Sequence, residues 1–155
     1  MAKLPRTGEA VIIDLGEEKD IHPKNKRDVA ERLARWALVK DYGMQLPFRS
    51  PIFKEIKIDG PRAQLTFDHV GAGLKTFDVE DVRGFSICGE DKAFAWAKAN
   101  IINTNTIEVW CDAIPKPVAV RYAWADNPVC NVFNSDDLPL TPFRTDDFPM
   151  ITAPK

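Results

Sequence analysis

The chain has 155 residues, with 21 basic and 23 acidic side chains and a formal net charge of −2. That length buries one core of ordinary size, and charge so near balance excludes an electrostatic polyanion binder, so no nucleic-acid partner is expected. Hydrophobic residues at 45% exclude a disordered chain, and no apolar run reaches the roughly 18 residues of a membrane span.

Residues 1–16 lack the basic-then-apolar order of a secretory signal. Residues 10–15, Ala-Val-Ile-Ile-Asp-Leu, are short, apolar and β-branched, and predict a buried strand of the kind found in parallel sheets. A polar, acidic loop follows over residues 16–20, and Pro23 suits the first turn of a helix, where its missing N–H costs nothing. From residue 24 to 42 the pattern is helical. Val29, Leu33, Trp36 and Ala37 recur at three- and four-residue steps, with Lys26, Arg27, Arg32 and Arg35 outside. Gly43 stands where a helix-ending glycine belongs.

Pro47 and Pro51 then mark a linker. Beyond it, residues 53–58 and 63–67 predict two strands joined by the Asp59-Gly60 turn signal. Further short strands are predicted over residues 74–79, 84–88, 93–99, 106–110 and 118–124, a spacing that indicates an antiparallel β-sandwich. Residues 125–155 carry Asn, Asp and Pro every few positions. They predict an irregular wrap anchored by Phe133, Phe143 and Phe148, with a frayed end.

The cysteines, Cys88, Cys111 and Cys130, include no C-x-x-C pair, so a disulfide framework and a zinc site are not indicated. Packing as small apolar thiols is the expectation. His22 and His69 are the two histidines, and any histidine chemistry must use one of them.

One strand and one helix do not make an α/β domain. A strand buried on both faces needs neighbours, and a helix with so broad an apolar surface needs something to pack on. The expected organisation is therefore mainly β. Residues 1–44 would be the last strand, histidine loop and helix of an incomplete α/β hydrolase domain. Residues 45–155 would be a β-sandwich with a proline-rich wrap, and the missing N-terminal catalytic domain becomes an expected partner.

His22 follows the predicted strand and precedes the helix, the position of the catalytic histidine in many α/β hydrolases. A general base of this kind needs an acceptor on its other ring nitrogen. Asp20 is close enough, and Asp14, Glu17 and Glu18 are also near.

The stretch from Ile13 to Ala37, with Asp20-Ile-His-Pro-Lys-Asn-Lys26 inside it, resembles the C-terminal catalytic block of sialate O-acetylesterases, members of the SGNH-hydrolase superfamily. Leu65-Thr-Phe-Asp-His-Val-Gly71, Gly84-Phe-Ser-Ile-Cys-Gly-Glu-Asp91, the block from Pro117 to Pro128, and Pro142-Phe-Arg-Thr-Asp146 resemble later parts of the same family, in order. The resemblance implies hydrolysis of O-acetyl esters on sialic acid or related sugars by a serine, a histidine and an orienting acid, without cofactor or metal. It implies His22 as the histidine. The superfamily's usual spacing is Asp-x-x-His, but position 19 is Lys, and Asp20 stands one residue closer. No Gly-Asp-Ser-type nucleophile motif occurs, since Ser50, Ser86 and Ser135 lack that context. The isolated chain is therefore expected to be inactive. An extracytoplasmic location is implied by the resemblance alone.

Two other readings stand beside this one. The sandwich would bind carbohydrate through Trp96, Trp110, Tyr122 and Trp124, with Asp126 or Asn127 on the hydroxyls. Or it would simply brace a catalytic domain, its loop Asn and Asp side chains satisfying turns. His69 is read as a turn or packing histidine, Arg121 as a partner for Asp126, and Asp136, Asp137, Asp146 and Asp147 as solvated loop acids rather than calcium ligands.

Overall fold

The computed structural model describes Leu4 and residues 7–149. Among the described residues one helix, α1 (Lys26–Lys40), precedes ten strands. They are β1 (Ile52–Asp59), β2 (Arg62–Asp68), β3 (Leu74–Thr76), β4 (Phe85–Cys88), β5 (Ala95–Trp96), β6 (Lys98–Asn103), β7 (Thr106–Trp110), β8 (Ala119–Tyr122), β9 (Val132–Asn134) and β10 (Phe143–Arg144). The fold is mainly β. One four-stranded antiparallel sheet runs β1-β2-β7-β6, a second runs β10-β8-β4-β5, and β3 pairs with β9.

Alternation places the core. On β2, Ala63, Leu65 and Phe67 are buried while their neighbours are only half-covered. Register sets Leu65 opposite Ile107 and Ala63 opposite Val109, so both strands offer one apolar face. The second sheet answers with Phe85, Ile87, Val120 and Tyr122. Phe143 closes the gap. It stacks on Phe53 at 4.8 Å and meets Phe67 edge-on at 5.7 Å, while Tyr122 lies 6.0 Å away on its own sheet. Fully burying a side chain of this size contributes roughly 1.5–3 kcal/mol.

The sequence expectation for the wrap was too irregular. Residues 125–149 contribute β9 and β10, and Phe133 and Phe143 are buried as anchors. Two asparagines do the polar work. Asn131 accepts from the Arg83 N–H at 2.8 Å and donates to the carbonyls of Asp81 and Phe77. Asn134 accepts from the N–H groups of Leu138 and Asp136 and donates to the His69 carbonyl. Buried backbone groups thus find partners inside a loop. The expected frayed end falls on residues 150–155, outside the described residues.

Other expectations need correcting. The predicted strand over residues 10–15 is not a strand. Among the described residues its backbone has no neighbouring strand to pair with, and a turn closes it where the Leu15 N–H donates to the Ile12 carbonyl. The segment predicted as one strand over residues 93–99 breaks at Ala97, whose N–H donates to the Phe85 carbonyl; β5 and β6 then join different sheets. Tyr122 is a core residue, 1% exposed, and burial pushes its phenol pKa up. It cannot stack on a sugar.

Arg121 pairs with Asp146 through two bonds of 2.7 and 2.8 Å, while Asp126 is exposed. Asp146 stands one residue beyond Thr145, which hydrogen-bonds β8 through both its N–H and its hydroxyl. Strand pairing therefore delivers Asp146 to Arg121, whereas Asp126 sits on the loop leaving β8.

Candidate functional site

The loop carrying His22 is built by local rules. The Asp20 carboxylate accepts the His22 backbone N–H at 2.9 Å, the self-bonding habit of Asp in turns. The same oxygen lies 3.3 Å from His22 Nδ1. Pro23 follows, and Asn25 caps α1 by accepting the Asp28 N–H at 3.1 Å, while its amide donates to the Asp28 carboxylate. A side chain that accepts at Nδ1–H leaves Nε2 free to take a proton. His22 keeps 79% of its side chain exposed.

The segment ahead of this loop is tied along α1 by polar groups rather than by sheet pairing. Arg32 donates to both oxygens of Asp14 at 2.6 and 2.7 Å and to the Val11 carbonyl at 2.7 Å. The Trp36 indole N–H donates to the Glu9 carbonyl at 2.7 Å. Ile13 touches the sandwich core. At the other end of α1, Trp36 meets Phe48 edge-on at 4.8 Å, and the Arg49 guanidinium lies over both rings. No residue of α1 is fully buried; Leu33 is 49% exposed, and Ile21, just before the helix, is 90% exposed.

The structure brings Asp20 and His22 together. Among the described residues, neither Asp14, Glu17 nor Glu18 replaces Asp20: Asp14 is taken by Arg32 and Glu17 by Lys24. None of Ser50, Ser86 and Ser135 hydrogen-bonds His22, and Ser135 instead accepts the Ala72 N–H. Two of the thiols offer no substitute. Cys88 is buried, and burial raises the pKa of both Cys88 and Cys130, which keeps them protonated. Among the described residues no group of three or more His, Cys, Asp or Glu side chains could hold a metal ion.

A second feature had no local sequence signal. A cavity of about 890 Å³ opens between α1 and the edge of the first sheet, with Trp36, Lys40, Arg49, His69 and Thr141 among its walls. Arg49 Nη1 is 3.3 Å from His69 Nε2. The pair is 20 residues apart in sequence; Arg49 lies on the segment leading into β1 and His69 directly follows β2, and Ile52 pairs with Asp68. Partial burial, and then the Arg49 charge, hold His69 below the ordinary histidine pKa, against a smaller opposite pull from Asp68.

No protein-family model and no curated protein matches the chain. Among solved structures, a crystal structure of a novel carbohydrate acetylesterase from Xanthomonas citri is similar, with a TM-score of 0.85 and 46% sequence identity. The match covers 90% of this chain and 32% of that one. The chain thus spans about a third of the length of that protein.

Proposed function

We propose that this chain forms the histidine-bearing portion of a carbohydrate O-acetylesterase of the sialate O-acetylesterase kind, acting outside the cytoplasm. The observation that carries the reading is the 46% identity, across 90% of the chain, to a protein described as a carbohydrate acetylesterase. The loop geometry supports the assignment of roles. The Asp20 carboxylate lies 3.3 Å from His22 Nδ1, where it would favour the tautomer that leaves Nε2 to act as general base.

In this scheme a serine from another part of the enzyme loses its proton to Nε2 and attacks the acetyl carbonyl. The protonated His22 then donates that proton to the departing sugar oxygen, leaving an acetyl-serine that water cleaves by the reverse relay. The sandwich braces this arrangement, and the backbone bonds made by Asn131 and Asn134 favour that role for it.

The test is a chimera. This chain replaces the matching third of the Xanthomonas citri protein, and acetate release from an O-acetylated sialic acid and from a neutral acetylated sugar is measured. The chimera should turn over, His22→Ala should lower kcat at least about a thousandfold, and Asp20→Asn by less. The chain alone should release no acetate. An undiminished rate in the His22→Ala chimera would falsify the role of His22.

A further inference from the structure

The loop that carries His22 is closed at its neck by one ion pair. Arg32 and Asp14 are 18 residues apart, and His22 lies between them in sequence. Asp14 stands where the segment along α1 gives way to the loop, and Arg32 stands on the second turn of the helix that leaves it. Arg32 Nη1 donates to Asp14 Oδ1 at 2.6 Å and to the Val11 carbonyl at 2.7 Å, and Nη2 donates to Asp14 Oδ2 at 2.7 Å. The two side chains keep only 10% and 18% of their surface exposed. The other pair across the loop, Lys24 with Glu17, is a single contact at 3.4 Å with Lys24 exposed, and such pairs hold little.

Stability alone does not call for charge at this neck. A pair so far removed from water loses hydration that its attraction only roughly offsets, and apolar side chains of similar volume would pack there as well. What the planar fork adds is register. Val11, Ile12, Ile13 and Leu15 around Asp14 are apolar, and apolar contact is non-directional and tolerates slippage. A slip of one residue would present Ile13 or Leu15 to the guanidinium, and neither offers a carboxylate. Each residue of slip moves an extended chain by about 3.3 Å, against a tolerance of roughly 0.5 Å for groups that must meet in a reaction. The neck is also seated on the sandwich. Ile13 packs against the core, and burial together with the Asp14 charge raises the Cys130 pKa against an opposing hydrogen bond from Tyr122.

We propose that Arg32 and Asp14 are positioning residues for His22, their fork setting where along α1 the histidine loop sits. The effect on catalysis rests on the esterase reading above, whereas the register of the loop stands on the fork alone.

The test replaces the fork by apolar side chains of similar size, Asp14→Leu with Arg32→Met, in two settings. In the full chain by itself, NMR order parameters are measured for the backbone of residues 15–22. They should fall from the rigid range near 0.85 to below about 0.6, with those of β2 and β7 unchanged. In the chimera described above, kcat should fall at least about tenfold with KM within about twofold, while the thermal midpoint stays at or above that of the parent. In a His22→Ala chimera the same replacement should change the residual rate by less than about twofold, because the fork acts through the histidine.

If the double replacement fails to fold, Arg32→Lys decides. It keeps the charge and loses the fork, and should still lower kcat about three- to tenfold. Unchanged order parameters over residues 15–22 overturn the proposal. So does an unchanged kcat, a loss carried by KM, or an undiminished effect in the His22→Ala background. A parent chimera that releases no acetate counts against the esterase reading and not against the fork, which the order parameters judge by themselves.

Discussion

Replacing Asp146 by Asn tests the most heavily committed ion pair in the sandwich. The Asp146 side chain is 1% exposed and accepts two bonds from Arg121, one from the Phe148 N–H at 3.2 Å, and a longer contact from Arg144 at 3.6 Å. Arg121 in turn lies 3.9 Å from the Phe94 ring centroid, so it cannot swing to solvent without losing that contact as well. Breaking a buried pair by removing one charge costs about 3–5 kcal/mol. Arg121 keeps 21% of its side chain exposed, and the amide preserves one acceptor, so about 2–3 kcal/mol is expected here.

With a urea slope of roughly 1–3 kcal/mol/M, the unfolding midpoint should fall by about 0.7–3 M at pH 7. The pH dependence gives a sharper reading. Hydrogen bonds from Arg121, against an opposing cost of burial, hold the Asp146 carboxyl below the ordinary carboxylate range. A depressed carboxylate stabilises the fold above its unfolded pKa, near 4, and that contribution is lost as pH falls through the folded value. Urea curves of both proteins should therefore converge as pH drops below about 4. A midpoint shift of the same size at pH 3 and pH 7 would refute the ionic origin, and no shift at pH 7 would refute the burial argument altogether.

Gly84→Ala should destabilise by about 2–4 kcal/mol in a thermal melt, because Gly84 has φ of +101° and a new Cβ would sit 2.7 Å from that of Cys130. His69→Asn should flatten the pH dependence of stability between about pH 5 and 7. The folded pKa is lowered, so wild-type stability is complete above the unfolded value of 6.5 and falls as pH drops below it; Asn tolerates the φ of +62° and does not titrate. Asn25→Ala removes the acceptor for the Asp28 N–H and should lower helix content by circular dichroism, at a cost of about 1 kcal/mol.

What the sequence revealed follows the range of the forces involved. α1 was expected over residues 24–42 and occupies Lys26–Lys40, because its apolar recurrence and its Pro23 and Gly43 signals are local. Thr106–Trp110 coincides with its expected strand, and the Asp59-Gly60 turn joins β1 to β2 with Gly60 at φ +55°. The strand expected over residues 10–15 failed because β-branched composition reports a preference, while a strand exists only with a neighbour to bond. β9 and β10 escaped notice because strands of three and two residues have no measurable alternation; Asn134 and Phe143 are fixed by contacts far along the chain. The site divides in the same way. Asp20 and His22 are two residues apart and were legible together, whereas Arg49, His69 and Thr141, which line one cavity, are brought there from distant parts of the chain and showed no pattern at all.

The Trp36–Phe48–Arg49 contact also sets a mechanical ratio. From Trp36 to the start of α1 is about 15 Å of rigid helix, with His22 just beyond its tip. A tilt of only about 5° at the aromatic contact would carry that tip more than about 1 Å sideways, a displacement on the scale that can cost two orders of magnitude in a positioned reaction. Small packing changes at Phe48 or Arg49, with neither residue touching His22, would thus be converted into displacement of the histidine loop. The linker side of the helix acts as the pivot of a lever, and the ties from Arg32 to Asp14 and from Trp36 to Glu9 are the stays that keep it from swinging.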